Sequence, residues 1–259
     1  MIPRALTIAT SDSGGGAGIQ ADLKAFAAAG VYGTSALVAL TAQSTTAVTA
    51  VHELPPDFIR AQLDAVFGDI GVDAAKTGML FSSTIIEAVA EFLERHHVPL
   101  VVDPVLIASS GAQLLQDDAV ETLIQRLFPL ATVVTPNLPE AETLTGLPGA
   151  PRRELAERLV DLGAAAALVT GGHGDTAVDH LFDGREHVEL PVERHPVAAT
   201  HGAGCTHSAT LAALLARGLP LVEAARGASA AAAAAVRNGL VEIGAGDGPV
   251  DVLNVKGKA

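Results

Sequence analysis

Short apolar runs alternate with helix-period stripes along most of the chain. Ala5 to Ala9 is an apolar run followed by Gly14, Gly15, Gly16 and Gly18, and then by Ile19, Leu23, Phe26 and Ala27 spaced to share one helix face. That order predicts strand, tight loop and helix, with Gly30 ending the helix. The alternation continues with strands at Ser35 to Ala39, Val72 to Lys76 and Leu100 to Asp103, and helices at Asp57 to Phe67 and Ile85 to Arg95. In the second half Thr132 to Thr135 and Ala165 to Thr170 read as strands. Ala119 to Leu127 and Arg153 to Leu162 read as helices, and two more run from about Gly204 to Arg217 and from Leu221 to Val236. Ala177 to Pro191 reads as a hairpin turned at Asp183-Gly184.

Strands that alternate with helices predict an α/β domain whose mostly parallel sheet is covered on both faces. No Pro/Ser-rich linker or short-period repeat interrupts the pattern, so residues 1–259 are expected to form one domain. The unusual residues fall at strand ends, and ligands of open parallel sheets bind at the C-terminal strand edge. The Ala-rich stretch Ala230 to Val236 is bracketed by Arg226 and Arg237 and reads as a buried helix packing through small side chains.

Charge narrows the ligand class. The 29 acidic and 16 basic side chains give a net charge of -13, a field that repels nucleic acid. Any phosphate must then be held by main-chain amides, helix N-termini, metal ions and a few cations. The lysines are Lys24, Lys76, Lys256 and Lys258. Cys205 is the only cysteine, which excludes an intramolecular disulfide and fits a reducing, cytoplasmic setting. The first apolar run is too short for a signal-peptide core, and no apolar stretch reaches spanning length without a charge.

Two loops carry candidate chemistry. In Ser11-Asp12-Ser13-Gly14-Gly15-Gly16-Ala17-Gly18 the glycines admit a ligand close to the backbone, and the helix start offers unpaired N–H groups. A dinucleotide fingerprint can be drawn through Gly16, Gly18 and Ala21, but it wants an acidic residue near Leu40 to Gln43, and the next carboxylate is Glu53. Thr200-His201-Gly202-Ala203-Gly204-Cys205-Thr206 precedes a long helix, and its small residues predict an anion hole at the positive helix end. A Walker A sequence is absent, so this later loop is the better phosphate cradle. The helix dipole predicts a lowered thiol pKa for Cys205. No H-E-x-x-H or Cys/His cluster points to zinc.

These stretches resemble the hydroxymethylpyrimidine/phosphomethylpyrimidine kinases of thiamine biosynthesis, within the ribokinase-like superfamily. The likeness runs through Ala5 to Ala9, Ser11 to Leu23, Thr41-Ala42-Gln43, Asp73 to Leu80, Val101 to Val105, Thr135 to Glu142, Gly171-Gly172-His173, Thr200 to Cys205 and Gly248-Pro249-Val250. The resemblance implies a three-layer α/β/α ribokinase-like fold with a small hairpin lid. It implies Gln43 pairing with the pyrimidine edge, with Met79 and Val105 around the ring, Ala17 beside it, and Thr10 and Asp12 in the substrate loop. It places Cys205 at the catalytic-base position, with the amides of Gly202, Ala203 and Gly204 stabilising the transferred phosphoryl group. Asn137, Glu140 and Asp103 are implied to organise Mg²⁺ and the phosphates, and Thr170 and Gly172 to lie on the nucleotide. Taken singly, Asn137, Glu140 and Asp103 read first as helix-cap or turn residues, and Met79 as core filler.

The chain also departs from the family pattern. Thr10 stands where Gly is common, which predicts a side chain intruding on the substrate loop. Ser109, Thr170 and Ala198 stand where lysines are common, so phosphate contacts are lost unless an Arg replaces them. Ala203 replaces a Thr, and Asp247 a frequent His. The implied activity is ATP-dependent phosphorylation of 4-amino-5-hydroxymethyl-2-methylpyrimidine to its monophosphate and then to the diphosphate, by a homodimer, with monovalent-cation dependence left open. The alternatives are a pyridoxal or pyridoxine kinase, against which the lack of a second Cys counts, and a catalytically silent pyrimidine-binding regulator.

Overall fold

The computed structural model describes residues 1–106, 117–172 and 177–258. Its strands are β1 (Arg4–Asp12), β2 (Tyr32–Gln43), β3 (Val48–Glu53), β4 (Ala74–Thr77), β5 (Leu100–Val102), β6 (Val133–Val134), β7 (Ala167–Val169), β8 (Val178–Phe182) and β9 (His187–Pro191). The helices are α1 (Gly18–Ala28), α2 (Pro56–Ala65), α3 (Ser83–Leu93), α4 (Asp117–Arg126), α5 (Leu138–Thr145), α6 (Arg152–Asp161), α7 (Ala203–Ala216) and α8 (Leu221–Arg237). One sheet runs in the order β3-β2-β1-β4-β5-β6-β7-β8-β9. The block from β2 to β7 is parallel, and antiparallel strands close it at both edges, β3 beside β2 and the pair β8 and β9 beside β7.

The period-two pattern of the strands sorts the interior into two cores. Leu6, Ile8, Val38, Ala75, Val102 and Val134 face one way and are buried with side chains of α2 to α6. Ala5, Val101, Val133 and Leu168 face the other way, against α1, α7 and α8. The three-layer α/β/α expectation is met. One departure from the apolar pattern matters below: Thr7 and Lys76 are paired in register on the α1 and α7 face, and both are fully buried.

Three features differ from the sequence reading. β2 is longer than expected and turns back through β3, whose residues are half-buried or exposed, so no apolar run marked it. The hairpin at 177–191 is present, but Leu181 and Leu190 are buried in the second core and β8 pairs with β7, so the hairpin continues the sheet and does not lie over it. The β2–β3 hairpin is the one that rims the ligand edge, and the hydroxyl of Thr45 at its tip accepts the N–H groups of Ala245 and Gly246, both at 3.2 Å. Finally α5 follows β6 where the sequence reading assigned no helix, although Asn137 and Glu140 read there as cap or turn residues. Among the described residues no helix is long and apolar enough to cross a membrane.

Candidate active site

Sheet order turns scattered residues into a row. Along the C-terminal strand ends from β2 to β7 stand Gln43, the loop after Asp12, Met79, Asp103 with Val105, Asn137, and Thr170. Adjacent strands lie roughly 4.8 Å apart, so the row spans about 24 Å, enough for two small molecules laid end to end.

Asp12 shapes the first loop. Its carboxylate accepts the N–H of Gly14 at 2.7 Å, of Gly16 at 3.0 Å and of Ala17 at 2.8 Å, together with Nε2–H of His201 at 3.2 Å. Burial alone would raise its pKa, but His201 and the amides of Ala17 and Gly14 outweigh that and hold the carboxyl below its usual range. Asp12 is therefore a loop-building residue and not the substrate contact expected. Gly18 has φ +56, and a Cβ there would lie 2.3 Å from the carbonyl oxygen of Thr10. Thr10 does not intrude either: it is 3 % exposed, and its hydroxyl donates to the carbonyl of Met79 at 3.0 Å. It buttresses Met79, which is itself buried.

The other end of this loop touches Gln43. Ser13 O–H donates to the Gln43 carbonyl, and its oxygen accepts the Gln43 N–H, both at 2.8 Å. Thr41 O–H donates to Gln43 Oε1 at 3.1 Å, fixing which face of the amide carries the acceptor. Ala17 and Val105 are half-buried between these polar groups and the strand ends.

The second loop ends in α7. Gly202 is its N-cap with φ 82, a left-handed conformation that suits glycine. Of the expected amides, Ala203 N–H already donates to the Thr200 carbonyl at 3.0 Å, so it is withdrawn from the anion hole. The N–H groups of Gly204 and Cys205 have no protein acceptor among the described residues and stand at the positive end of a 14-residue helix. Thr200 is fixed by Asp247, which accepts its N–H at 2.9 Å and its O–H at 2.7 Å, a use for the Asp that departs from the family pattern.

The half-buried Cys205 thiol feels the backbone N–H of Gly18, which favours its ionised form, so the two loops come together at the sulfur. Its acidity is the reverse of the expectation. Burial pushes the thiol up to about 12; Lys76 opposes that shift, while Asp22 and Asp103 add to it. A helix dipole falls off within a turn, and here desolvation and two carboxylates outweigh it.

Lys76 and Asp22 escaped the sequence reading. Lys76 Nζ lies 2.9 and 3.0 Å from the two oxygens of Asp22 and 3.5 Å from Asp103 Oδ2, with both the lysine and Asp22 fully buried. Asp103 Oδ2 also accepts Ser208 O–H at 2.7 Å. The available signal was a Lys inside a strand buried on both faces, and an Asp beside Leu23 and Phe26 on an otherwise apolar helix face.

At the far end of the row Asn137 and Glu140 form a capping box: Asn137 Oδ1 accepts Glu140 N–H at 3.0 Å, and Glu140 Oε2 accepts Asn137 N–H at 2.9 Å. The cap reading and the site reading are thus compatible. Burial, and next to it the charge of Asp103, push the Glu140 carboxyl up to about 8. Thr170 N–H donates to the Pro136 carbonyl at 2.9 Å, bringing β7's end beside Asn137, and Gly172 is exposed beyond it. Arg194 donates to the Gly171 carbonyl at 3.0 Å and brings a cation to the loop that lacks the common lysine at Thr170. Ala198 is exposed, and Ser109 and His173 lie outside the described residues. Among the described residues no three His, Cys, Asp or Glu side chains cluster as a metal site.

The chain is similar to known proteins along most of its length. The family model described as phosphomethylpyrimidine kinase matches residues 12–251. The hydroxymethylpyrimidine/phosphomethylpyrimidine kinase of Rhizobium meliloti is 51% identical over 253 residues, covering 95% of each chain. A solved phosphomethylpyrimidine kinase from Clostridium difficile is 41% identical with a TM-score of 0.79, covering 89% of this chain and 97% of its own. The ADP complex of Bacillus subtilis pyridoxal kinase is 37% identical with a TM-score of 0.88, covering 99% of both.

Proposed function

Because the chain belongs to the phosphomethylpyrimidine kinase family, we infer that it transfers the γ-phosphoryl group of ATP to 4-amino-5-hydroxymethyl-2-methylpyrimidine and then to the resulting monophosphate. The observation that carries this reading is the meeting of the two loops at Cys205, with two unengaged amides beside the sulfur and Gln43 at the far side of the glycine loop. The amides of Gly204 and Cys205 receive the equatorial oxygens of the transferring group, whose charge they stabilise without reorganisation. The pyrimidine sits against Met79, Val105 and Ala17, its edge on Gln43, and its hydroxyl points toward the sulfur.

Phosphoryl transfer passes through a loose transition state, so the acceptor proton leaves late. Cys205 accepts that proton in the first step as a thiolate, after its own proton has gone to solvent. In the second step the acceptor is a phosphate oxygen, already ionised above a pKa of about 6, and no base is needed. One pocket thereby serves two unlike nucleophiles.

The nucleotide lies toward Asn137, Thr170 and Gly172. Glu140 fits Mg²⁺: it is an oxygen donor, and its proton is retained only because burial and a neighbouring carboxylate penalise its charge, a penalty that a divalent cation relieves. Asp103 Oδ2 is engaged by Lys76 and Ser208, so Glu140 is the residue assigned to the ion. When bound, the ion neutralises charge on the phosphates.

A coupled ADP-release assay with the pyrimidine and with its monophosphate tests the assignment, and turnover with both is expected. Background rates with both, alongside calorimetric binding of the pyrimidine, would instead make the protein a binding regulator. A higher kcat/KM for pyridoxal than for the pyrimidine would make it a pyridoxal kinase.

A further inference from the structure

Lys76 occupies a strand position where a neighbour of Ala74 and Ala75 would ordinarily be aliphatic. A buried ion pair adds little net stability over two apolar side chains of the same volume, so packing of β4 on α1 does not by itself call for Lys76 and Asp22. The surroundings are shaped to the ammonium nonetheless: a Cβ at Gly78 would come within 3.0 Å of Nζ, and Thr7 O–H holds Asp22 Oδ2 at 2.6 Å. The third partner leads to the site. Asp103 Oδ2 is shared between Lys76 and Ser208, and the Ser208 hydroxyl also contacts the carbonyls of Gly204 at 3.0 Å and Cys205 at 3.2 Å. The first turn of α7 is thus tied to the ammonium through one carboxylate.

Charge counting gives the tie a purpose. Two buried carboxylates, Asp22 and Asp103, surround one ammonium, and any negative charge formed at Cys205 is a third against a single cation. We propose that Lys76 is a positioning residue for phosphoryl transfer, a sealed cation that fixes the first turn of α7 through Asp103 and Ser208 and offsets negative charge developing at the Cys205 sulfur. Two electrostatic directions agree. Burial works against the ammonium, but Asp22, Cys205 and Asp103 hold its pKa above the usual lysine value. Among the influences on the thiol, Lys76 is the largest that opposes burial.

The proposal deepens the kinase reading and rests on it for its kinetic arm; its chemical arm does not. Because Cys205 is the only cysteine, alkylation by iodoacetamide at fixed pH in ligand-free protein reports this sulfur alone. Lys76→Met by itself leaves Asp22 unpaired and threatens the fold, so the decisive protein is the Lys76→Met/Asp22→Asn double variant, in which Thr7 still has an amide to bond. The double variant is expected to unfold within a few degrees of wild type and to keep both KM values within about threefold. Its kcat should fall at least 100-fold, and its alkylation should slow at least tenfold. Ser208→Ala, which removes one oxygen, should lower kcat about tenfold with KM unchanged. Wild-type kcat in the double variant would show that Lys76 merely partners Asp22, and unchanged alkylation would show that its charge does not reach the sulfur; either result overturns the proposal. If wild type turns over no pyrimidine, the kinase reading fails, while the alkylation comparison still decides whether Lys76 governs the sulfur.

Discussion

A methyl group on Gly202 would stand 1.8 Å from the carbonyl oxygen of Gly16. The residues are far apart in sequence, yet this approach lets Gly18 reach the Cys205 sulfur and His201 reach Asp12. The glycine loop and the start of α7 therefore form one interlocked surface. Glycine at 202 is required twice, for its left-handed φ of 82 and for its missing Cβ.

Gly202→Ala should accordingly damage both fold and chemistry. Strain at the left-handed position alone costs about 1–3 kcal/mol, and the contact with Gly16 must open as well. Thermal unfolding should show a midpoint lowered by several degrees, and kcat/KM should drop more than 100-fold. Unchanged kinetics would mean that the loops need not touch.

Cys205→Ala separates the two steps. A positioned base is worth roughly 10²- to 10⁴-fold, so the first phosphorylation should slow by that order. The second, whose nucleophile is already ionised, should slow much less. Steady-state rates with the pyrimidine and with its monophosphate measure the ratio, and equal losses would remove the base role from the sulfur.

Asp12 gives a pH prediction of definite sign. Its folded pKa is held below the ordinary value of 3.8, so the stability it contributes is present above that value and disappears as pH falls through the folded pKa. Asp12→Asn should lose about 1.5–3 kcal/mol at neutral pH, the scale of hydrogen bonds to a charged group. It should also flatten the acid limb of a stability-versus-pH curve measured in urea.

Glu140→Gln removes the charge assigned to the metal and keeps most of the capping box. The Mg²⁺ concentration for half-maximal rate should rise at least tenfold while KM for the pyrimidine stays put. A magnesium titration at saturating ATP checks this, and an unshifted midpoint would move the ion elsewhere.

Much of this was legible in the residues. Apolar runs between helix stripes located the parallel strands from β1 to β7, and their ends located the row of Gln43, Asp103, Asn137 and Thr170. What escaped lacks a local signal. Val48–Glu53 is half-exposed and carries no clean alternation. α5 is only eight residues long and opens with Leu138-Pro139, so the cap at Asn137 was the one local sign of it, although proline is tolerated in the first helical turn. The direction of the Cys205 shift is set by burial first and then by Lys76, Asp22 and Asp103, groups that are distant in sequence and close round the sulfur only when the strands, α1 and α7 have packed. The roles of Thr10 and Asp12 turned on which way a hydroxyl and a carboxylate point, and spacing along the chain does not encode that.

α7 is buried without a break from Thr206 to Leu214. No position in that stretch can change size without disturbing neighbours on several sides, so the helix that presents the sulfur is frozen against drift. The rim is different: the β2–β3 turn is partly exposed, and its hydrogen bonds to Ala245 and Gly246 both go to one threonine oxygen. New acceptor preferences in this lineage should accumulate at that turn and its surroundings, leaving the machinery beneath untouched.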